Sequence, residues 1–126
     1  KKQGEISMDQ NRLVDKIKEH PDYHKVGMML THHGVVRGTS RDGKEVSGVS
    51  LSVNRDQVDG IVESEKQTPG IVEILVEITE KRELSVGDDI MLIAVAGDIR
   101  ENVLSCMARM IDSIKQMVTS KTEYFK

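Results

Sequence analysis

The chain has 126 residues, a formal net charge of −3 from 18 Lys and Arg against 21 Asp and Glu, and only Tyr23, Tyr124 and Phe125 as aromatics. That balance excludes a nucleic-acid binder working through a broad basic face or a base-stacking platform. The length closes a hydrophobic core without disulfides, the single Cys106 forms none within the chain, and no apolar run approaches the roughly 20 residues that cross a bilayer, so a cytoplasmic protein without membrane contact is expected.

Residues 1–7 carry charged Lys1, Lys2 and Glu5 and are read either as a leader or as residues foreign to the natural chain, with one domain over 8–126. Ser7-Met8-Asp9-Gln10 predicts a capping box, and Leu13, Val14 and Ile17 a helical stripe ending at His20-Pro21. Val26 to Arg37 and Val46 to Val53 read as strands. Arg41-Asp42-Gly43-Lys44 between them predicts a type I′ hairpin, whose central residues both need positive φ. Asn54 caps a second helix carrying Val58, Ile61 and Val62, broken at Thr68-Pro69-Gly70. Ile71 to Thr79 alternates apolar residues with Glu73 and Glu77, a strand with a solvated side.

The most informative run is Leu84 to Arg100. Gly87-Asp88 is a turn signal, Ile90 to Ala96 a buried strand, and Gly97-Asp98 leads to Val103, Met107, Met110, Ile111, Ile114 and Val118 at helical spacing. The expected order is α-β-β-α-β-β-α, an α+β fold with an antiparallel sheet and helices packed on one face. Unpaired N–H groups in the last helix's first turn suit an anion, although Asp98 and Glu101 also fit a capping box that satisfies those groups from within. Arg37 ends its strand as an anion ligand or an ordinary surface charge, while Arg109, Lys115, Lys121 and Lys126 concentrate positive charge toward the end of the chain. Adjacent His32 and His33 point to opposite faces of a strand, and His20 and His24 lack ligand spacing, so no metal is expected.

Three segments carry a family resemblance. Gly34-Val35-Val36-Arg37 is similar to a Gly-x-Val-Arg strand end, Glu83-Leu84-Ser85-Val86-Gly87-Asp88-Asp89-Ile90 to Glu-Leu-x-x-Gly-Asp-x-Ile, and Tyr124-Phe125-Lys126 to an aromatic-aromatic-Lys end. In these the chain resembles the large, catalytic subunit of molybdopterin synthase, the MoaE family. The resemblance implies an α/β-hammerhead-like fold, a homodimer, and no cofactor. It implies as partner a small ubiquitin-like, MoaD-like sulfur carrier, whose Gly-Gly tail ends in a thiocarboxylate. Two sulfurs pass from that tail to cyclic pyranopterin monophosphate, building the dithiolene of molybdopterin.

By the same resemblance Lys126 is the expected catalytic lysine, and Arg37 the ligand of substrate or carrier tail. A second family lysine falls on Thr119, with Lys121 two positions on as its substitute if the chain has left helical geometry there. The family's His-Arg pair falls on Asp98-Ile99, with Arg100 one position late as a binding candidate. His32, near an aromatic position of the family, is the last binding candidate. The alternative expectation is a non-catalytic binding or regulatory module that keeps the dimer and the tail groove.

Overall fold

The structure is a computed structural model that describes residues 8–126, with the backbone alone for 118–122. Ser7 of the expected capping box lies outside the described residues. The elements in order are α1 (Gln10–Lys18), a 3-10 turn (Tyr23–Lys25), β1 (Met28–Val35), β2 (Val46–Val53), α2 (Arg55–Glu65), β3 (Ile71–Ile78), β4 (Glu83–Ser85), β5 (Asp89–Gly97), α3 (Arg100–Gln116) and β6 (Val118–Phe125). The expected order is kept, with β4 and β6 added. The strands form two antiparallel sheets, β1-β5-β3 and β4-β2-β6.

β5 organises the larger sheet because it is apolar on both faces. Met91, Ile93 and Val95 pack against Val103, Cys106, Met107, Met110 and Ile114 of α3. On the opposite face, Leu92, Ala94 and Ala96 meet Leu13 and Ile17 of α1, the alanines leaving room for the helix to approach. Helices therefore cover both faces of this sheet, where the sequence suggested one. A strand buried on both sides has no polar alternation, which is why Ile90 to Ala96 reads as a continuous apolar run. Burying each Leu or Ile side chain here contributes about 1.5–3 kcal/mol.

α1 is capped by Asp9, whose side chain accepts the Asn11 N–H at 2.9 Å. Asn54 caps α2 as expected, accepting the Gln57 N–H at 3.1 Å. The smaller sheet covers a thinner apolar layer of Val36, Val46, Val49, Leu51 and Leu84, joined to the main core through Ile90. Among the described residues no helix is long and apolar enough to cross a membrane.

Two local expectations are corrected. The Asp42-Gly43 turn does not join paired strands: β1 pairs with β5 and β2 with β4 and β6, with only a Thr39–Glu45 bridge closing the loop. Gly43 alone has positive φ, +87°, its N–H donating to Ser40 O at 3.0 Å, so the turn is not type I′. Asp42 instead hydrogen-bonds the Ser40 hydroxyl, holding the turn locally while β1 joins the strand that offers burial on both faces. Likewise the last helix ends at Gln116, and Val118, expected on its apolar stripe, begins β6. Val118 lies four residues after Ile114, so helical spacing could not separate the last turn from a strand start.

Candidate functional site

At one end of the smaller sheet three backbone segments lie side by side. The Val46 N–H donates to Gly38 O at 2.9 Å, Val46 is in register with Phe125, and the Lys126 N–H donates to Glu45 O at 3.3 Å. Arg37 and Lys126 thus flank the Glu45–Val46 segment, their backbones about 10 Å apart by ordinary inter-strand spacing. The Arg37 Nε donates to Thr39 O at 2.8 Å, which holds the guanidinium stem against the sheet end. Both side chains are exposed, and among the described residues neither has an ion-pair partner. The edge also carries Lys44, which sequence reasoning did not single out: its Nζ lies 5.8 Å from the Phe125 ring centre and 3.8 Å from Asp42. Its only sequence signal was its place beside the Asp-Gly turn.

Three cations at one sheet edge, two of them unpaired, suit an extended chain ending in an anion. Guanidinium and ammonium groups are the side chains that meet such a terminal charge. Lys121 pairs through its backbone with Leu51 in β6, and its side chain lies outside the described residues, as does that of Thr119. The chain has left helical geometry by Val118.

Arg100 is not brought to this edge. It stands beyond Gly97 at one end of β5, while Arg37 follows Val35, which pairs with Asp89 at the other. A nine-residue strand separates the two ends by about 26 Å. Arg100 is exposed, with its Nε 3.7 Å from Glu101. The strand-to-helix junction beside it is filled from within: Asp98 Oδ1 accepts the Ile99 N–H at 2.7 Å and the Asn102 amide at 2.8 Å. Those bonds, the Asn102 one first, hold the Asp98 carboxyl below its ordinary range. The helix cap is Ile99 rather than the expected Asp98, and a bound anion would have to compete with this carboxylate.

His32 pairs with Ile93 on β1 and is half-buried. Burial lowers its pKa, helped by the Lys115 charge and by His33. His33 faces the other way, 2.7 Å from Asp89. The His20 Nδ1 accepts the Asp22 N–H at 2.9 Å, and its Nε2 lies 3.9 Å from Glu73. Among the described residues no group of three His, Cys, Asp or Glu side chains is placed to hold a metal.

Comparison with known proteins follows the same outline. A search of curated proteins finds no match. Among solved structures the chain is similar to a molybdopterin synthase from Staphylococcus aureus, with 19% identity over 81% of this chain and 77% of that one and a TM-score of 0.67. It is similar to a molybdopterin biosynthesis MoaE protein from Burkholderia ambifaria, with 18% identity, 87% and 71% coverage and a TM-score of 0.69. It is also similar to a chain in the complex of subunits 1 and 2 of the Helicobacter pylori molybdopterin-converting factor, with 16% identity, 94% and 84% coverage and a TM-score of 0.65. At these identities the likeness establishes the fold. The family model described as MoaE protein matches residues 5–117, nearly the whole chain. The chain belongs to the MoaE family, the molybdopterin synthase large subunits of molybdenum cofactor biosynthesis.

Proposed function

We propose that this chain is the sulfur-transferring large subunit of a molybdopterin synthase, taking sulfur from a thiocarboxylated ubiquitin-like carrier and passing it to cyclic pyranopterin monophosphate. The observation that carries the reading is the sheet edge where Arg37 and Lys126 flank Glu45–Val46 without ion-pair partners among the described residues. The Helicobacter pylori relative is a chain in a complex of subunits 1 and 2, which supports a protein partner for this chain. The carrier's extended Gly-Gly tail lies along the edge, with its terminal charge between the two cations. Lys126 neutralises the thiocarboxylate, orients it, and moves protons as the sulfur leaves. Lys121 serves as the second lysine, on a strand rather than a helix. Arg100, too distant within one chain, joins the site only from a second copy. The homodimer forms through β3, an edge strand of the larger sheet.

The reading is tested by mixing the purified chain with a thiocarboxylated carrier and the pyranopterin substrate and following dithiolene formation. Product supports it, and its complete absence refutes it. A second reading, a binding module without catalysis, draws on Asp98, a carboxylate engaged by Ile99 and Asn102 where the family places its histidine. Carrier binding with no turnover would select it.

A further inference from the structure

The β1–β2 and β4–β5 connections meet at the sheet end that carries Arg37 and Lys126: the Val36 N–H donates to Asp88 O at 3.0 Å and the Gly87 N–H to Val36 O at 2.8 Å. Their acidic residues are Asp42, Glu45 and Asp88, with Asp89 at the start of β5. Three of these are engaged. Asp42 meets the Ser40 hydroxyl and lies 3.8 Å from Lys44, Asp88 accepts the Ser85 N–H at 2.8 Å, and Asp89 lies 2.7 Å from His33. The Glu45 side chain is exposed and, among the described residues, has neither a hydrogen bond nor an ion pair. Alternation turns it away from the side on which Val46 is buried, and Lys126, one residue beyond the Phe125 that is in register with Val46, turns the same way. Arg37 shares that side, being exposed after buried Val36 and two residues before Thr39, which bridges to Glu45. Glu45 thus stands between the two unpaired cations, at cross-strand Cβ spacings of about 4.5–5.5 Å for direct neighbours and more on the diagonal. Of the connection's other cations, Lys44 stands on the opposite side over Phe125, and Arg41 lies in the turn.

We propose that Glu45 is a specificity-determining residue of this edge: it admits an extended protein tail whose only negative charge is its terminus, and turns away a tail with an acidic side chain beside that terminus. The inference rests on the reading of the edge as a tail site. Arg37 and Lys126 hold the terminal charge, and the unpaired Glu45 carboxylate between them opposes a second negative charge arriving next to it. Selectivity of this kind comes from a repulsive element built against the wrong partner, and it needs a charge that nothing else in the chain neutralises. Glu45 meets that requirement, whereas Asp42, Asp88 and Asp89 do not. In water, one unit charge acting on another at about 4 Å changes an affinity about fivefold, so the effect is measurable at an exposed edge.

The test titrates the isotope-labelled full chain at low salt with three synthetic six-residue peptides, identical except that they end in Gly-Gly, Gln-Gly or Glu-Gly with a free carboxylate, reading the backbone amides of Arg37–Thr39 and Lys44–Val46. Gln and Glu share shape and differ in charge, so their ratio isolates the electrostatic part. Wild type should bind the Gln-Gly peptide about threefold tighter than the Glu-Gly one, a gap that closes as salt is added. Glu45→Gln, an exposed change, should shift that ratio about fivefold toward the Glu-Gly peptide, and Glu45→Asp should restore the wild-type preference. Equal binding of the two peptides by wild type, or a ratio that Glu45→Gln leaves unmoved, would overturn this inference while saturation by the Gly-Gly peptide keeps the tail site standing. Absence of saturable shifts with every peptide would remove the tail site, and this inference with it.

Discussion

The two sheets of this protein divide its work. The larger one is enclosed, with α3 on one face of β5 and α1 on the other, and Leu92, Ile93, Ala94, Val95 and Ala96 have no exposed surface. The smaller one has a single thin apolar layer and leaves Val86, Tyr124 and Phe125 about half exposed. Arg37, Lys44 and Lys126 gather at one end of the small sheet. Charged groups cannot be buried unpaired, so unpaired ones collect where the core is thinnest.

The largest expected effect comes from breaking the enclosed sheet. Leu92→Ala should cost about 2–5 kcal/mol by denaturant unfolding, whereas Phe125→Ala, on a residue 52% exposed, should cost less than about 1 kcal/mol. Equal losses would erase the distinction between the sheets.

Next in size is the α2–α3 contact behind the large sheet. Arg109 Nε and Nη2 reach the Glu65 carboxylate at 3.0–3.1 Å, with the Glu65 side chain 17% exposed. Glu65→Gln should cost about 1–2 kcal/mol at neutral pH. Hydrogen bonding to Arg109 holds the Glu65 pKa below its ordinary 4.5, so the stability it contributes is complete above that value and lost as pH falls through the lowered one. His32 acts in the same direction at higher pH. Its folded pKa lies below 6.5, the unfolded chain takes the proton more readily, and stability should fall as pH drops from about 6.5. Melting temperatures between about pH 2.5 and 8 should show both slopes, the Glu65 one below its ordinary 4.5, with His32→Gln flattening the upper one.

A smaller, kinetic effect concerns Cys106. Burial, followed by the nearby Glu65 charge, pushes its thiol up to about 11, so it is neutral and shielded at pH 8. Alkylation by iodoacetamide should be slow in the wild type and accelerate in Leu92→Ala as the large sheet opens more often. Fast labelling of wild type would mean that the enclosed sheet is open in solution.

How much of this was legible in the sequence follows the same division. The bounds of β2 and β3, the Asn54 cap and the α3 stripe from Val103 to Ile114 were readable because burial imposes a period on apolar residues. The small sheet was not: β4 spans only Glu83–Ser85, and β6 starts on a valine that also continues the helical pattern. The Asp42-Gly43 signal gave the turn but not the partners of its strands, since pairing depends on what β5 offers at long range. Arg37 and Lys126 were proposed separately from family motifs. Their common edge depends on β6 pairing with β2, and the distance of Arg100 depends on the length of β5, neither of which local pattern reports.

Arg37→Ala should leave stability nearly unchanged while weakening carrier binding about tenfold at low salt, a difference that shrinks as added salt screens the contact. Calorimetry against a carrier lacking its last two glycines checks that the contact is to the tail. The smallest effect on folding and the largest on chemistry should meet at Lys126. The most direct measurement is therefore single-turnover conversion of the pyranopterin by Lys126→Ala with a thiocarboxylated carrier, alongside its melting temperature and carrier affinity. The account predicts conversion lost by at least a hundredfold, with melting temperature close to wild type and carrier affinity weakened no more than in Arg37→Ala. Conversion at the wild-type rate would contradict it.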